Sequence, residues 1–174
     1  TTKFNGVAYP IQKAAAAVVA SAIDEEPHSG AADLARPHTL TDVGLGRRLA
    51  KRIRGRLTYI RERDSWSHWD GTRWAEKAEH IAQHHAKRMH DELWDELASL
   101  SHAERTPAVV KFVQDSGTRA RITAAMWAAQ SESGINTSQS DYDTHTWLLN
   151  VRNGVIDLRS GELVPHDPRL RITQ

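Results

Sequence analysis

Residues Thr146–His166 read TWLLNVRNGVIDLRSGELVPH, and this stretch decides the fold class. Trp147–Val151 is apolar apart from Asn150, and Asn153-Gly154 follows at once. Asn-Gly accepts positive φ at both central positions of a type I′ turn, the strongest short-range hairpin signal. Val155–Leu158 returns as a second strand with period-two character. Ser160-Gly161 turns again, and Leu163 with Val164 makes a third short strand that Pro165 closes. The spacing predicts a three-stranded β-meander. None of its residues is an obvious catalyst.

Upstream of the meander, helical patterns dominate. Thr41 or Asp42 can N-cap a helix, its oxygen taking a first-turn N–H that has no partner inside the helix. Leu45, Leu49 and Ile53 then recur every four residues along one face. Arg47, Arg48, Lys51 and Arg54 fall opposite, with Arg52 on the flank; Arg56, Arg61 and Arg63 continue the charge. Between Gly44 and Arg63 there are eight Lys or Arg against one acid, Glu62. Guanidinium forks suit phosphate oxygens, and neutralising phosphates releases counterions. An ordinary solvated helix face would carry the same residues.

Leu57–Arg61 and Trp66–Trp69 read as strands, and Asp70-Gly71 repeats the type I′ signal before Thr72-Arg73-Trp74. Trp66, Trp69 and Trp74 could stack bases, but tryptophans in a small sheet more often supply core area against helices. Glu76–Leu100 is the longest helix expected, with Ala78, Ile81, Ala82, Met89, Leu93, Leu97 and Leu100 on its apolar stripe. It also carries His80, His84, His85 and His90. His80 and His84 are one turn apart and could share a metal with Glu76 or Asp91, although the HExxH pattern is missing. Thr106-Pro107 starts another helix. Ser116-Gly117 breaks or re-caps the chain, and a further helix carries Ile122, Ala125, Met126 and Ala129 inward. Residues from Gly134 to Asp143 read as a loop. The fold class expected is α+β: mostly helical, with small antiparallel hairpin and meander elements.

Before Leu40 the character differs. Ile11–Ile23 is alanine-rich and favours a helix; Asp24–Pro37, with three breakers, reads as a linker. Residues 1–39 are thus expected as an arm, and residues 40–174 as a domain. The 174 residues suffice for that, and 39% hydrophobic with 26% charged content suits a globular protein. A net charge of +1 assigns no partner by itself. The chain has no cysteine, which removes disulfides, thiolate zinc sites and cysteine nucleophiles. No apolar run approaches the length of a membrane span. A GxxxxGK[ST] phosphate loop and a GxSxG elbow are both missing. Gly44-Leu45-Gly46 is only a fragment of a glycine motif. The acidic pairs Asp141/Asp143 and Asp24/Glu25 sit in expected loops. No catalytic residue and no metal ligand is assigned.

Four motifs together carry a resemblance. They are Leu40-Thr41-Asp42-Val43-Gly44 with Arg48-Leu49; Trp69-Asp70-Gly71-Thr72-Arg73-Trp74; Gln130-Ser131-Glu132 with Gly134-Ile135; and the Trp147–Leu163 meander. In this order they resemble the domain that precedes the superfamily 3 ATPase in phage- and plasmid-type primase–helicases, the family named after the N-terminal region of the poxvirus primase–helicase. Two positions depart from its pattern, Leu45 where Asn is common and Ser133 where proline is usual. The resemblance implies DNA replication in the cytoplasm of a bacterial host. It implies that ATP and magnesium belong to an adjoining C-terminal ATPase domain, and any polymerising centre to an N-terminal primase domain. It also implies a homo-oligomeric ring, and a segment that is itself an accessory without cofactor. The expected DNA contacts, to the backbone and without base reading, are Arg47, Arg48, Lys51, Arg52, Arg54 and Arg56. Two other readings stay open: a protein–protein interaction or oligomerisation module that never touches DNA, and a metal-dependent enzyme built on the histidine helix.

Overall fold

The computed structural model describes Leu34 and residues 36–174. The expected helix at Ile11–Ile23 lies outside the described residues, as does most of the expected linker. Leu34 is helical and fully buried in the main core, so that core draws on the chain ahead of residue 40.

From residue 36 on, the described residues form four α-helices and two small sheets, an α+β architecture. Helix α1 spans Asp42–Ile53, with the Thr41 hydroxyl accepting from Gly44 N at 3.1 Å. It ends as Gly55 turns at φ 75°, a left-handed conformation that glycine adopts without steric cost. Strands β1 (Leu57–Ile60), β2 (Ser65–Trp69) and β3 (Trp74–Glu76) follow as an antiparallel meander. Helix α2 is Glu79–Ser99, α3 Pro107–Ser116 and α4 Arg119–Ala129. Thr106 and Thr118 cap the last two through their side chains, accepting from Val109 N and Arg121 N. Strand β4 (Asn136–Thr137) then pairs in parallel with β1, giving the sheet order β3-β2-β1-β4. The second sheet is β5 (Leu148–Val151), β6 (Gly154–Asp157) and β7 (Glu162–Val164), in that order and antiparallel.

The first sheet separates two cores. Leu57, Tyr59 and Trp66 face the helices and join Leu45, Leu49, Ile53, Leu93 and Phe112 in the main cluster. Fully burying one such aliphatic or aromatic side chain stabilises by about 1.5–3 kcal/mol. On the other face Ile60, Trp74 and Tyr142 form a smaller cluster, with Trp69 beside it. The carboxyl-terminal segment closes that cluster. Trp74 N donates to Ile172 O at 2.8 Å and Trp74 Nε1 to Pro168 O at 2.7 Å. Within it Tyr142 Oη lies 2.6 Å from Thr58 Oγ1, both residues being buried. Trp66 and Trp74 are therefore core, as expected, and Trp69 is half-buried.

Several boundaries differ from the sequence reading. The long helix begins at Glu79, not Glu76, because Glu76 pairs with Ser67 in the sheet and Lys77 then turns at φ 60°. The Glu79 carboxylate accepts from Trp66 N at 3.2 Å, fixing the helix start to β2. Asp70-Gly71 is not a type I′ turn: residues 70–73 form a four-residue connection in which only Gly71 has positive φ. Asp70 Oδ1 organises it by accepting from Thr72 N, Thr72 Oγ1 and Arg73 N. In the second sheet Val151 pairs with Gly154, so the two-residue turn is Arg152-Asn153, one residue earlier than expected. Gly154 belongs to the strand through that pairing, and a Cβ there would stand 2.5 Å from Val164 O. The expected loop before Asp143 contains the two residues of β4.

Candidate functional site

Helix α1 is held on three sides. A Cβ at Gly44 would meet Thr39 O at 1.9 Å, and one at Gly46 would meet Ala128 Cβ at 2.4 Å. The two glycines that hinted at a nucleotide motif thus serve close packing, against the Pro37–Thr39 turn and against α4. Leu45, between them, is fully buried. Arg121 on α4 reaches Asp42 in the first turn of α1 at 2.5 Å.

The third side is electrostatic. Arg48 Nη1 donates to both carboxylate oxygens of Glu96, at 2.9 and 2.7 Å. Their side chains are 14% and 21% exposed. One turn further along α1, Arg52 pairs with Glu92 and donates through Nε to His85 Nδ1 at 3.4 Å. Position 48 meets 96 and position 52 meets 92, so the helices run antiparallel and two i,i+4 pairs interlock. Burial lowers the His85 pKa below 6.5, and the neighbouring guanidinium groups of Arg52 and Arg56 add to the effect. A neutral His85 is what accepts from Arg52.

The six expected DNA-contacting cations therefore do not share one surface. Arg48 and Arg52 face α2 and hold its glutamates, whereas the spacing put Arg48 opposite the apolar face and Arg52 on its flank. Arg47 projects outward, its side chain 68% exposed and its Nε 3.6 Å from Glu132. Lys51, Arg54 and Arg56 are exposed. Arg47, Lys51 and Arg54 follow an i, i+4, i+7 spacing and make one stripe on α1. Further along, Arg61 pairs with Glu62, and Arg63 with Glu76 and Gln139.

The histidine helix assembles no metal centre among the described residues: no group of three or more His, Asp or Glu side chains there is placed to hold an ion. His80 and His84 line an exposed hollow with Ile81, Gln83 and Lys87. The carboxylates once available to them are engaged elsewhere, Glu76 with Arg63 and Asp91 with Arg88. Of the acidic pair Asp141/Asp143, Asp141 caps the Gln139–Asp141 turn through Ser138 N, and Asp143 accepts from Thr173 N at 2.9 Å.

Sequence reasoning missed a Ser–His pair. His90 Nδ1 lies 2.7 Å from Ser116 Oγ, and Trp94 Nε1 donates to His90 Nε2 at 3.3 Å. An indole can only donate, so Nε2 accepts and Nδ1 carries the proton toward Ser116. Ser116 is buried and spends its own hydroxyl proton on Val113 O, at 2.7 Å. The pair joins α2 to the end of α3; it is no exposed nucleophile. The i,i+4 spacing of His90 and Trp94 was the available signal. Also missed was Trp127, on the outer face of α4 and 73% exposed.

Residues 46–174 match the family model described as D5 N terminal like, more than half of the chain. The chain belongs to that family, the N-terminal domain of D5-like primase–helicase proteins. No curated protein matches it, and no solved structure does.

Proposed function

We propose that this domain is a non-catalytic accessory module of a replicative primase–helicase that touches the DNA backbone without reading bases. Its contacts are Arg47, Lys51 and Arg54, with Arg56 beyond the helix end. The observation that supports this most is the exposure of that stripe on a helix whose other sides are occupied by packing and by glutamates. In this reading ATP and magnesium are bound by an adjoining ATPase domain, and the module steadies a ring of copies in a phage or plasmid replication system. Salt titration of DNA binding tests it. Log K should fall with log[salt] by roughly 0.7–0.9 per phosphate neutralised. The R47A/K51A/R54A triple should keep its helical circular dichroism and lose about two to three from that slope. A triple variant that binds DNA as the parent does would overturn the reading.

One observation favours a protein–protein module instead. Trp127 on α4 and Val43 on α1 are large apolar side chains left 73% and 48% exposed, and exposed aromatics are typical anchors of interfaces. Association insensitive to salt and abolished by Trp127→Ser would select this second reading.

A further inference from the structure

Among the described residues Trp127 is the most exposed large hydrophobic side chain, at 73%, and the packing of α4 on α1 sets it beside the cationic stripe. The two helices run in the same direction: Asp42 meets Arg121 near their starts, and Arg47 meets Glu132 just past the end of α4. They touch at Gly46, where an added Cβ would stand 2.4 Å from Ala128 Cβ and 3.0 Å from Ala129 N. Each step along a right-handed helix turns about 100°. In two parallel helices, the residue after the contact on one and the residue before it on the other therefore emerge on the same side of the seam. Arg47 and Trp127 are that pair, and both are exposed. Lys51 and Arg54 continue the charge along α1. Thr123 and Ser131, four residues to either side of Trp127, are small, polar and exposed.

We infer that Trp127 is a stacking platform for a base of single-stranded DNA whose phosphates lie along Arg47, Lys51 and Arg54. This rests on the backbone contact proposed above and names the form of DNA that the stripe holds. A row of cations alone serves duplex and single strand alike. An indole beside it adds most to a strand with unpaired bases, because in a duplex the base faces are taken up by their neighbours. Stacking is indifferent to sequence, since every base has a π face, in keeping with a module that reads no bases. Charge argues against an apolar protein pocket as the occupant. Seating Trp127 in one would draw the neighbouring Arg47 guanidinium out of water, whereas a phosphate compensates it. The Arg47–Glu132 pair, at 3.6 Å, is beyond hydrogen-bond distance and competes little with a phosphate.

The test compares binding of oligo(dT) and of a duplex of equal length to the full chain. Trp127→Ala should weaken oligo(dT) binding about five- to a hundredfold and leave duplex affinity and Tm as in the parent. Its salt slope on oligo(dT) should also be unchanged, since no phosphate contact is removed. Trp127→Phe keeps a π face and should recover part of the loss. Oligo(dT) should quench the tryptophan emission of the parent more than that of Trp127→Phe. Trp127→Ala binding oligo(dT) as the parent does, or losing single strand and duplex equally, would overturn the inference. If R47A/K51A/R54A still lowers the salt slope in that case, only the stacking role falls; if the triple variant also binds as the parent does, the backbone contact falls with it. Salt-insensitive self-association that Trp127→Ser abolishes would give the indole to a second copy and overturn the inference as well.

Discussion

Arg48→Met separates an arginine that holds the fold from one that could hold DNA. Exposed ion pairs contribute about 0.2–1 kcal/mol, whereas breaking a fully buried pair costs about 3–5. Both side chains of the Arg48–Glu96 pair are about four-fifths covered and the contact uses both carboxylate oxygens. Allowing for the remaining solvent, the loss should be about 2 kcal/mol, since Glu96 keeps a half-desolvated charge without its guanidinium. For a chain of this size that corresponds to a fall of about 4–8 °C in Tm. Arg47→Ala, at an exposed position with a long 3.6 Å pair, should stay within about 0.5 kcal/mol. The assay is urea unfolding of Arg48→Met, Glu96→Leu and the double variant. The cycle should give a coupling of about 1–2 kcal/mol, with the double variant recovering much of the loss. Coupling below about 0.5 kcal/mol, or an Arg48→Met that keeps its stability but loses DNA affinity, would refute the division of roles.

Three further substitutions probe the scaffold. His85 has its pKa depressed in the folded state, so its contribution is intact above the unfolded value of 6.5 and is lost as pH falls through the folded one. His85→Gln, which retains an acceptor for Arg52, should therefore reduce the drop in Tm between about pH 7.5 and about pH 5.5. Gly46→Ala drives a methyl into Ala128 Cβ and the α4 backbone, and should cost about 1–3 kcal/mol by thermal or urea unfolding. Tyr142→Phe leaves the buried Thr58 hydroxyl without its 2.6 Å partner and should cost about 1–2 kcal/mol, with faster exchange in β1 and β4.

What the sequence made legible was what one element carries by itself. The four-residue recurrence of Leu45, Leu49 and Ile53 located α1 and its buried face, and Thr41 and Thr106-Pro107 located two helix starts. Charge was harder, because a helical wheel shows where Arg48 and Arg52 point but not what faces them. The signal existed in Glu92 and Glu96, an acid pair with the same spacing on α2 as the base pair on α1. It becomes informative only once the helices are known to be antiparallel neighbours. Glycines misled for a related reason. Gly154 beside Asn153 reads as a turn, yet its missing Cβ is spent on the approach of β7. Gly44 and Gly46 read as a bare fragment of a glycine motif and serve helix packing. Strand β4, two residues long, is too short to leave a pattern and exists because Ile135 O accepts from Tyr59 N at 2.8 Å.

The enclosure of α1 sets the scale of any backbone contact it makes. With Gly44 and Gly46 closed by packing and Arg48 and Arg52 drawn to α2, the outward cations reduce to Arg47, Lys51 and Arg54 along the helix, followed by Arg56. Seven residues of helix advance about 10 Å, the axial length of about three phosphates on one duplex strand. Three to four neutralised phosphates correspond to a salt slope of about −2 to −4. All eight cations between Gly44 and Arg63 acting together would instead require a slope of about −6 to −7. A measured slope in the steeper range would mean that Arg48 and Arg52 leave their glutamates on binding. It would also mean that α1 and α2 separate, a change that exchange at the α2 backbone would register.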